Sequence, residues 1–333
     1  LMPKSIAGTT AATQKDLTVN ASLASTIGGT VGTTTVGDGL LSLTTDAPGT
    51  TTIKATSVNA VTQAYNDKVV VSGSVTLGGY ATTGSSDAVT FKKAVDGVAA
   101  NSGNLTLKTV GGATFDSTIG SSKALGTLTV DSTVASTTIK GGTVNARTQV
   151  YDGAVTLNAS TTLAGTTVTI ANASFQPDAN TRTLYVDASG VTSFSADLTG
   201  TSFNTITTSA TGSTVIGGNI TTVNAQTYAD DVVLGSSDSA VSTYTLTSSG
   251  NADITFSKKI NSGTTTGQRT LSVVTDGVTR FNGDIGTSKV LTGLITDAGG
   301  STRIDAASVK AIDQTYGDAV VLVKTTGTTT LTA

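Results

Sequence analysis

The sequence predicts an all-β fold, a β-solenoid, on the basis of three observations. Thr fills 71 of the 333 positions, and Thr favours strands, whereas the long unbranched side chains that favour helices are scarce. Related segments return about every 80 residues, and fixed repeats are typical of solenoids. Only 3 residues are Pro, which leaves backbone N–H groups free to pair along the strands.

The composition also predicts that the chain folds and indicates which partners it lacks. Hydrophobic residues make up 37% and the net charge is −3, whereas disordered chains combine low hydrophobicity with high net charge. Nucleic acid binding needs clustered Lys and Arg, and we interpret the two basic doublets, Lys92-Lys93 and Lys258-Lys259, as solvated loop charges. No apolar run approaches the ~18 residues of a membrane span. We therefore expect neither a nucleic acid partner nor a membrane span in this segment.

A Tyr-centred segment appears four times, and we call its copies the Tyr segments. They are 58–71, 144–157, 223–234 and 309–322, centred on Tyr65, Tyr151, Tyr228 and Tyr316. The upstream strand residues Leu43, Leu128, Ile206 and Leu294 precede the Tyr by 22, 23, 22 and 22 residues, respectively. A spacing this constant predicts that the intervening turns are fixed parts of the fold.

Three further segments, 105–115, 184–194 and 271–281, align without a gap. Each alternates apolar and polar residues, turns near Gly or Asp-Gly, and alternates again into Phe115, Phe194 or Phe281. This period-2 pattern indicates half-buried strands separated by a turn.

Together the matches predict a unit of about 80 residues with eight or nine short strands, wound into about four coils. The approximate units are 1–71 (partial), 72–157, 158–234, 235–322 and 323–333 (partial). Because both ends fall inside a unit, we expect residues 1–333 to be one continuous solenoid segment of a longer array.

The alternative architecture is a string of β-sandwich domains, in which each Tyr would form a tyrosine corner. Seven Phe and no Trp supply little bulk for four separate sandwich cores. A solenoid needs only a narrow stack of small apolar residues, with Thr stacked in rows on its outer faces. The solenoid is therefore favoured.

On the solenoid interpretation, the four Tyr residues are expected to lie one above another at widely spaced levels. We expect each to fill a corner and to bond the backbone through its hydroxyl. The alternative is a row of exposed Tyr rings that stack on sugars.

The segments "TQVYDGAVTL" (148–157) with "TTLAGTTVTI" (161–170), and "QTYGDAVVL" (314–322) with "TTTLTA" (328–333), resemble repeats of the filamentous-haemagglutinin-like exoproteins of Gram-negative bacteria. That family has tandem Tyr-Asp-Gly-type units, and only Tyr151-Asp152-Gly153 matches the motif fully here. The resemblance implies a right-handed parallel β-helix, exported by two-partner secretion and displayed on the cell surface or in a biofilm matrix.

The residue inventory excludes several kinds of chemistry. With no His and no Cys, Ser-His and Cys-His nucleophiles and the common zinc sites are excluded. Most Asp residues sit in turn contexts, so we predict turn formation rather than catalysis for Asp46, Asp131, Asp187, Asp276 and Asp297. We predict no enzyme activity, no catalytic residues, no cofactor and no metal site.

The predicted function is that of an extracellular rod in a large bacterial adhesin, which mediates attachment by multivalent binding of an exopolysaccharide or a host or cell-surface glycan. The loops at 79–88 and 235–252 are the predicted places for selective contacts, because length variation concentrates there. The first alternative is a self-assembling fibre or surface-layer subunit without a specific ligand. The second is an ice-binding face made by alternating Thr.

Overall fold

A computed structural model describes residues 5–6, 15–32, 40–78, 87–235, 242–263, 268–324 and 327–333. It divides into two units, Leu1–Gly165 and Thr166–Ala333. The first unit contains β1 (Ser5–Ile6), β2 (Lys15–Val19), β3 (Ala24–Ile27), β4 (Thr30–Val31), β5 (Leu40–Thr45), β6 (Thr50–Ile53), β7 (Ser57–Tyr65), β8 (Lys68–Val71), β9 (Ser74–Gly78), β10 (Ala88–Phe91), β11 (Val95–Gly97), β12 (Asn104–Lys108), β13 (Ala113–Phe115), β14 (Leu125–Val130), β15 (Thr137–Ile139), β16 (Thr143–Tyr151) and β17 (Val155–Leu157). Strand β18 (Thr161–Ile170) includes the boundary.

The second unit continues with β19 (Phe175–Pro177), β20 (Leu184–Phe194), β21 (Leu198–Phe203), β22 (Ile206–Thr208), β23 (Ser213–Ile216), β24 (Ile220–Thr222), β25 (Gln226–Tyr228), β26 (Asp231–Leu234), β27 (Ser242–Ser248), β28 (Ile254–Phe256), β29 (Ile260–Ser262), β30 (Arg269–Val274), β31 (Val278–Phe281), β32 (Leu291–Thr296), β33 (Ser301–Ile304), β34 (Ser308–Tyr316), β35 (Ala319–Leu322) and β36 (Thr330–Thr332). No helix occurs among the residues that the structure describes.

Both units are parallel β-solenoids with three strands in each turn. From Tyr65 the chain runs through β8 and β9 and returns in β10, where Phe91 lies beside Tyr65. Phe115 and Ile139 follow in the next two turns. All strand pairings of known register in the described regions are parallel, as between β12 and β14, whereas sandwiches of the Ig type are antiparallel. The predicted all-β solenoid is therefore confirmed, and its handedness stays a prediction.

Alternation of buried and half-buried residues along the strands places the core between the three faces. The first unit buries, for example, Leu77, Leu107 and Leu128, while Thr points outward between them. Outward Thr residues of successive turns lie side by side, as predicted, in the row Thr90, Thr114, Thr138 and Thr156.

The constant spacing upstream of each Tyr corresponds to one turn of the solenoid. The upstream strand residue pairs not with Tyr but with the Gln two residues before it. The pairs are Leu43–Gln63, Leu128–Gln149, Ile206–Gln226 and Leu294–Gln314. One turn therefore takes 20 residues in three copies and 21 in the copy of Tyr151.

The prediction that the Tyr residues lie one above another is wrong within each unit. Tyr65 shares a stack with Phe91, Phe115 and Ile139. Tyr151 belongs to another stack, beside Val130 and above Leu107, Leu77 and Val58. In the second unit, Tyr228 stacks with Phe256, Phe281 and Ile304, whereas Tyr316 lies beside Thr296 and Val273.

The reason is the number of strands in the sequence repeat. Three turns lead from Tyr65 to Ile139, and the chain then passes the strand position of Val144 before it reaches Tyr151. Three turns of three strands each, plus these two further strand positions, give eleven strand positions in one sequence repeat, which correspond to 3⅔ turns. The second unit repeats this count, with three turns from Tyr228 to Ile304 and two further strand positions to Tyr316. Because eleven is not a multiple of three, each repeat begins on a different face from the one before.

Candidate functional site: buried polar contacts and two corner grooves

Each Tyr segment contains a hydrogen-bonded Gln–Tyr pair. The Tyr hydroxyl donates to the Gln side-chain oxygen two residues before it. The four bonds are Tyr65–Gln63 at 2.9 Å, Tyr151–Gln149 at 2.7 Å, Tyr228–Gln226 at 2.8 Å and Tyr316–Gln314 at 3.0 Å. The first three Tyr side chains are completely buried. An exposed Tyr row that stacks on sugars is therefore wrong for these three, and their hydroxyls bond a side chain rather than the predicted backbone.

The Gln side chain of each pair also donates hydrogen bonds to backbone carbonyls. Gln63 Nε2 donates to the carbonyls of Val58 at 3.1 Å and Gly78 at 2.7 Å, and Gln149 does the same to Val144 and Ala164. Buried polar groups are costly unless they are bonded. Burial also raises the pKa of the Tyr65, Tyr151 and Tyr228 phenols, so these hydroxyls keep their proton and remain donors.

A Thr–Thr–Asp cluster, buried in two copies and half-buried at Asp318 in the third, accompanies three of the four Gln–Tyr pairs. The Asp lies two residues after Tyr and accepts bonds from Thr residues 22 and 16 positions earlier. The clusters are Thr45–Thr51–Asp67, Thr208–Thr214–Asp230 and Thr296–Thr302–Asp318, with closest distances of 2.7 to 3.2 Å. Burial raises the pKa of Asp230, although hydrogen bonds from Thr214 and Thr208 act against that shift.

The copy at Tyr151 lacks this cluster. Val130 and Gly153 stand where the other copies have Thr and Asp. A Cβ at position 153 would lie 2.5 Å from the Asp131 carbonyl oxygen and 3.0 Å from Val130 Cγ1, so only Gly fits. The remaining hydroxyl, on Thr137, is buried and has no hydrogen-bond partner among the described residues.

In two of the Gln–Tyr pairs, Phe side chains from the following turns stack on the Tyr ring along the core. Tyr65 stacks on Phe91 with ring centroids 5.2 Å apart, and Phe91 stacks on Phe115 at 4.7 Å. In the second unit, the distances are 5.3 Å from Tyr228 to Phe256 and 5.4 Å from Phe256 to Phe281. These rings lie in offset stacks in a closed core, where they stabilise the fold and are inaccessible to a ligand.

The first unit has a groove along the corner that follows this aromatic stack, and we call it the first corner groove. Its cavity volume is about 700 Å³. Residues from four successive turns line it, among them Ala47, Pro48, Asn66, Lys68, Lys93 and Ser117. The groove therefore runs across the turns, along the solenoid.

The second unit has a groove along the equivalent corner, the second corner groove. Its cavity volume is about 410 Å³, and its charged lining residues are Asp231, Lys258, Lys259, Asp284, Asp305 and Lys324. The two corners match residue by residue, because Phe91-Lys92-Lys93-Ala94-Val95 aligns with Phe256-Ser257-Lys258-Lys259-Ile260. Lys93 thus corresponds to Lys258, and Ala94 to Lys259. The basic doublets predicted to be solvated are indeed exposed, and Lys93, Lys258 and Lys259 line the two grooves.

Ion pairs neutralise most charges around the first corner groove. Asp116 lies between Lys92 and Lys140, each 2.8 Å away, and these contacts lower the pKa of the Asp116 carboxyl. Lys68 pairs with Asp96 at 2.7 Å. Lys93 has no ion pair within the described ranges, so its ammonium group is the uncompensated cation of this groove.

No protein-family model matches this chain. The curated proteins and the solved structures likewise contain no significant match.

The Asp residues predicted to form turns occur in three settings. Asp46, Asp131 and Asp297 accept backbone N–H bonds from Ala21 at 2.9 Å, Thr133 at 2.9 Å and Thr275 at 3.2 Å. Asp276 lies in an exposed turn. Asp187 lies within β20, between Leu184–Val186, which pair with β22, and Val191–Phe194, which pair with β23.

The loops predicted to make selective contacts are only partly described. Residues 79–86 and 236–241 lie outside the described residues. The prediction of a loop at 235–252 is wrong for Ser242–Ser248, which form β27 and pair with β30. Within the described ranges, no cluster of three or more metal-ligating side chains occurs, and no helix there could cross a membrane.

Proposed function

We propose that this chain is an extracellular β-solenoid segment of a large bacterial surface or biofilm-matrix adhesin, and that it holds an exopolysaccharide or a cell-surface glycan. The observation that supports this most directly is the recurrence of a corner groove at the same repeat position in both units. Equivalent sites of low individual affinity gain avidity when one polymer occupies several of them.

The buried polar contacts stabilise the solenoid that presents these grooves. The Gln–Tyr pairs and the Thr–Thr–Asp clusters fix the register of neighbouring turns, since a slip would leave buried polar groups unpaired. The resemblance of the Tyr segments to filamentous-haemagglutinin-like repeats, and a sequence without Cys, agree with display outside a Gram-negative cell.

The test is a binding assay of the chain against immobilised glycans and bacterial exopolysaccharides at low and high surface density. We expect weak binding at low density and much slower dissociation at high density. Deletion of residues 79–86 or 236–241 separates loop contacts from groove contacts and leaves β27 intact. Absence of binding to every glycan at every density would contradict the proposal.

We further propose that binding occurs without turnover. His and Cys are absent from the sequence, and the buried carboxylates of Asp67 and Asp230 bond Thr hydroxyls inside the core. Incubation with the same polysaccharides should release no shorter products. Reproducible cleavage that is lost when one Asp is replaced by Asn would contradict this.

A second candidate function is a self-assembling fibre or surface-layer subunit. The outward row of Thr90, Thr114, Thr138 and Thr156 favours it, because a flat face of short side chains suits lateral packing of copies. Ordered filaments that form without any glycan would support this candidate over the adhesin.

A further inference from the structure

We propose that the first corner groove binds an acidic polysaccharide, with Lys93 taking the carboxylate or sulfate of a sugar. This inference depends on the proposed glycan-binding function and names the ligand class and the residue that selects it.

The dimensions of the groove suit a short stretch of an extended polymer. A volume of about 700 Å³ is within the range of ligand sites. The lining residues Ala47, Asn66, Lys93 and Ser117 belong to four successive turns. Turns are ~4.8 Å apart, so the groove extends over about 14 Å along the solenoid.

The chemistry of the walls suits a sugar chain. Ala47, Pro48 and Ala94 provide apolar surface for the C–H faces of sugar rings, and Asn66 and Ser117 provide polar groups for hydroxyls. Asn66 Nδ2 donates to the Thr45 carbonyl at 2.7 Å, which fixes the amide and leaves its second N–H for a ligand.

The charges of the lining residues favour anion binding in the first corner groove over the second. Lys68, Lys93 and Asp67 line the first groove, and Lys68 is paired with Asp96, so Lys93 is the lining cation without an ion pair among the described residues. Three Lys and three Asp line the second groove, which gives 3 − 3 = 0. The Asp67 carboxylate is 3% exposed and bonded by Thr45 and Thr51, so it faces its cluster, and the neighbouring Asp46 accepts the Ala21 N–H.

The second groove also supplies the controls. Lys258 occupies the equivalent position to Lys93, but its Nζ donates to the Ala210 carbonyl at 2.6 Å. Lys259 stands where the first unit has Ala94, which shows that this corner accommodates a long side chain. Ala94→Gln should therefore fill the first groove without disturbing the fold.

The experiment measures binding of the full chain to oligogalacturonate, to a sulfated glycan and to a neutral glucan of equal length. We expect both anions to bind more tightly than the glucan and to weaken with added salt. Lys93→Gln should weaken anion binding roughly fivefold, as expected for one partly exposed charge. Ala94→Gln should abolish it, and Lys258→Gln should leave it unchanged. Circular dichroism and the unfolding midpoint check that each variant folds.

Other outcomes separate the inference from the function on which it depends. Equal binding of neutral and acidic chains, or insensitivity to Lys93→Gln, would overturn the inference and leave glycan binding in place. A loss with Lys258→Gln equal to that with Lys93→Gln would overturn the assignment to the first groove. Absence of binding to all three probes would overturn the inference, and absence of binding to every glycan of the wider assay would overturn the proposed function as well.

Discussion

Thr214→Val and Thr137→Val are the same substitution at equivalent positions of two repeats, and we expect opposite effects on stability. Thr214 donates to the carboxylate of Asp230, with distances of 2.8 and 3.0 Å to its two oxygens. Thr137 is equally buried, but its hydroxyl has no partner in the described part of the chain. Val has nearly the same volume as Thr, so the packing changes little.

These contacts determine how much each substitution should change the free energy of unfolding. After Thr214→Val, Asp230 is 1% exposed and keeps the Thr208 hydroxyl at 2.9 Å as its remaining Thr partner. Loss of a hydrogen bond to a charged group costs about 1.5–3 kcal/mol. Thr137→Val replaces an unbonded buried hydroxyl by a methyl group, which should stabilise the fold by about 1 kcal/mol.

Native-state hydrogen exchange is the suitable assay, because long repeat arrays need not unfold in one step. Exchange of amides in β23 and β26 should accelerate in Thr214→Val, and exchange in β15 and β17 should slow in Thr137→Val. Thr90→Val, on an outer face, serves as the neutral control. Equal destabilisation by both core substitutions would refute the assignment of the effect to these hydrogen bonds.

Three further substitutions test charge and packing. Burial raises the pKa of Asp230, so the carboxyl contributes stability below its unfolded pKa and loses that contribution as pH rises through the folded pKa. Asp230→Asn should lack this dependence in unfolding titrations from pH 3 to 7. Asp178 has its pKa lowered to about 2 by Arg182, so Asp178→Asn should instead remove a loss of stability that occurs as pH falls from about 4 to 2. Phe256→Ala should cost about 3–5 kcal/mol, because the ring is buried between Tyr228 and Phe281. A cost below 1 kcal/mol in urea unfolding would contradict the stacked core.

Strand alternation and repeat length were sufficient to predict the solenoid. The matched segments ending at Phe115 and Phe281 became pairs of strands, β12–β13 and β30–β31, because alternation depends only on which face of a strand is buried. The number of strands in a repeat was underestimated, since β11 covers three residues and Ile119 makes only an isolated bridge. With eight or nine strands predicted instead of eleven, the shift of Tyr from face to face was not predictable.

The Gln–Tyr pairs and the Thr–Thr–Asp clusters have a signal in the sequence that strand alternation and repeat length do not reveal. Gln stands two residues before every repeated Tyr, at Gln63, Gln149, Gln226 and Gln314. Asp two residues after Tyr recurs with Thr at fixed spacings in three copies. The grooves had no such signal, because their walls combine residues from four or more turns, and only the stacking register brings Ala47 and Ser117 to one corner.

Disulfide trapping can show whether one repeat occupies 3⅔ turns of a three-sided solenoid, because the chain has no native Cys. Thr129 and Val150 lie side by side on neighbouring strands, where the Cα spacing of ~4.8 Å suits a disulfide. If the repeat took a whole number of turns, Val150 would lie beside Thr138 instead. We expect Thr129→Cys/Val150→Cys to oxidise rapidly and Thr138→Cys/Val150→Cys to stay reduced. The reverse result would contradict a repeat of 3⅔ turns.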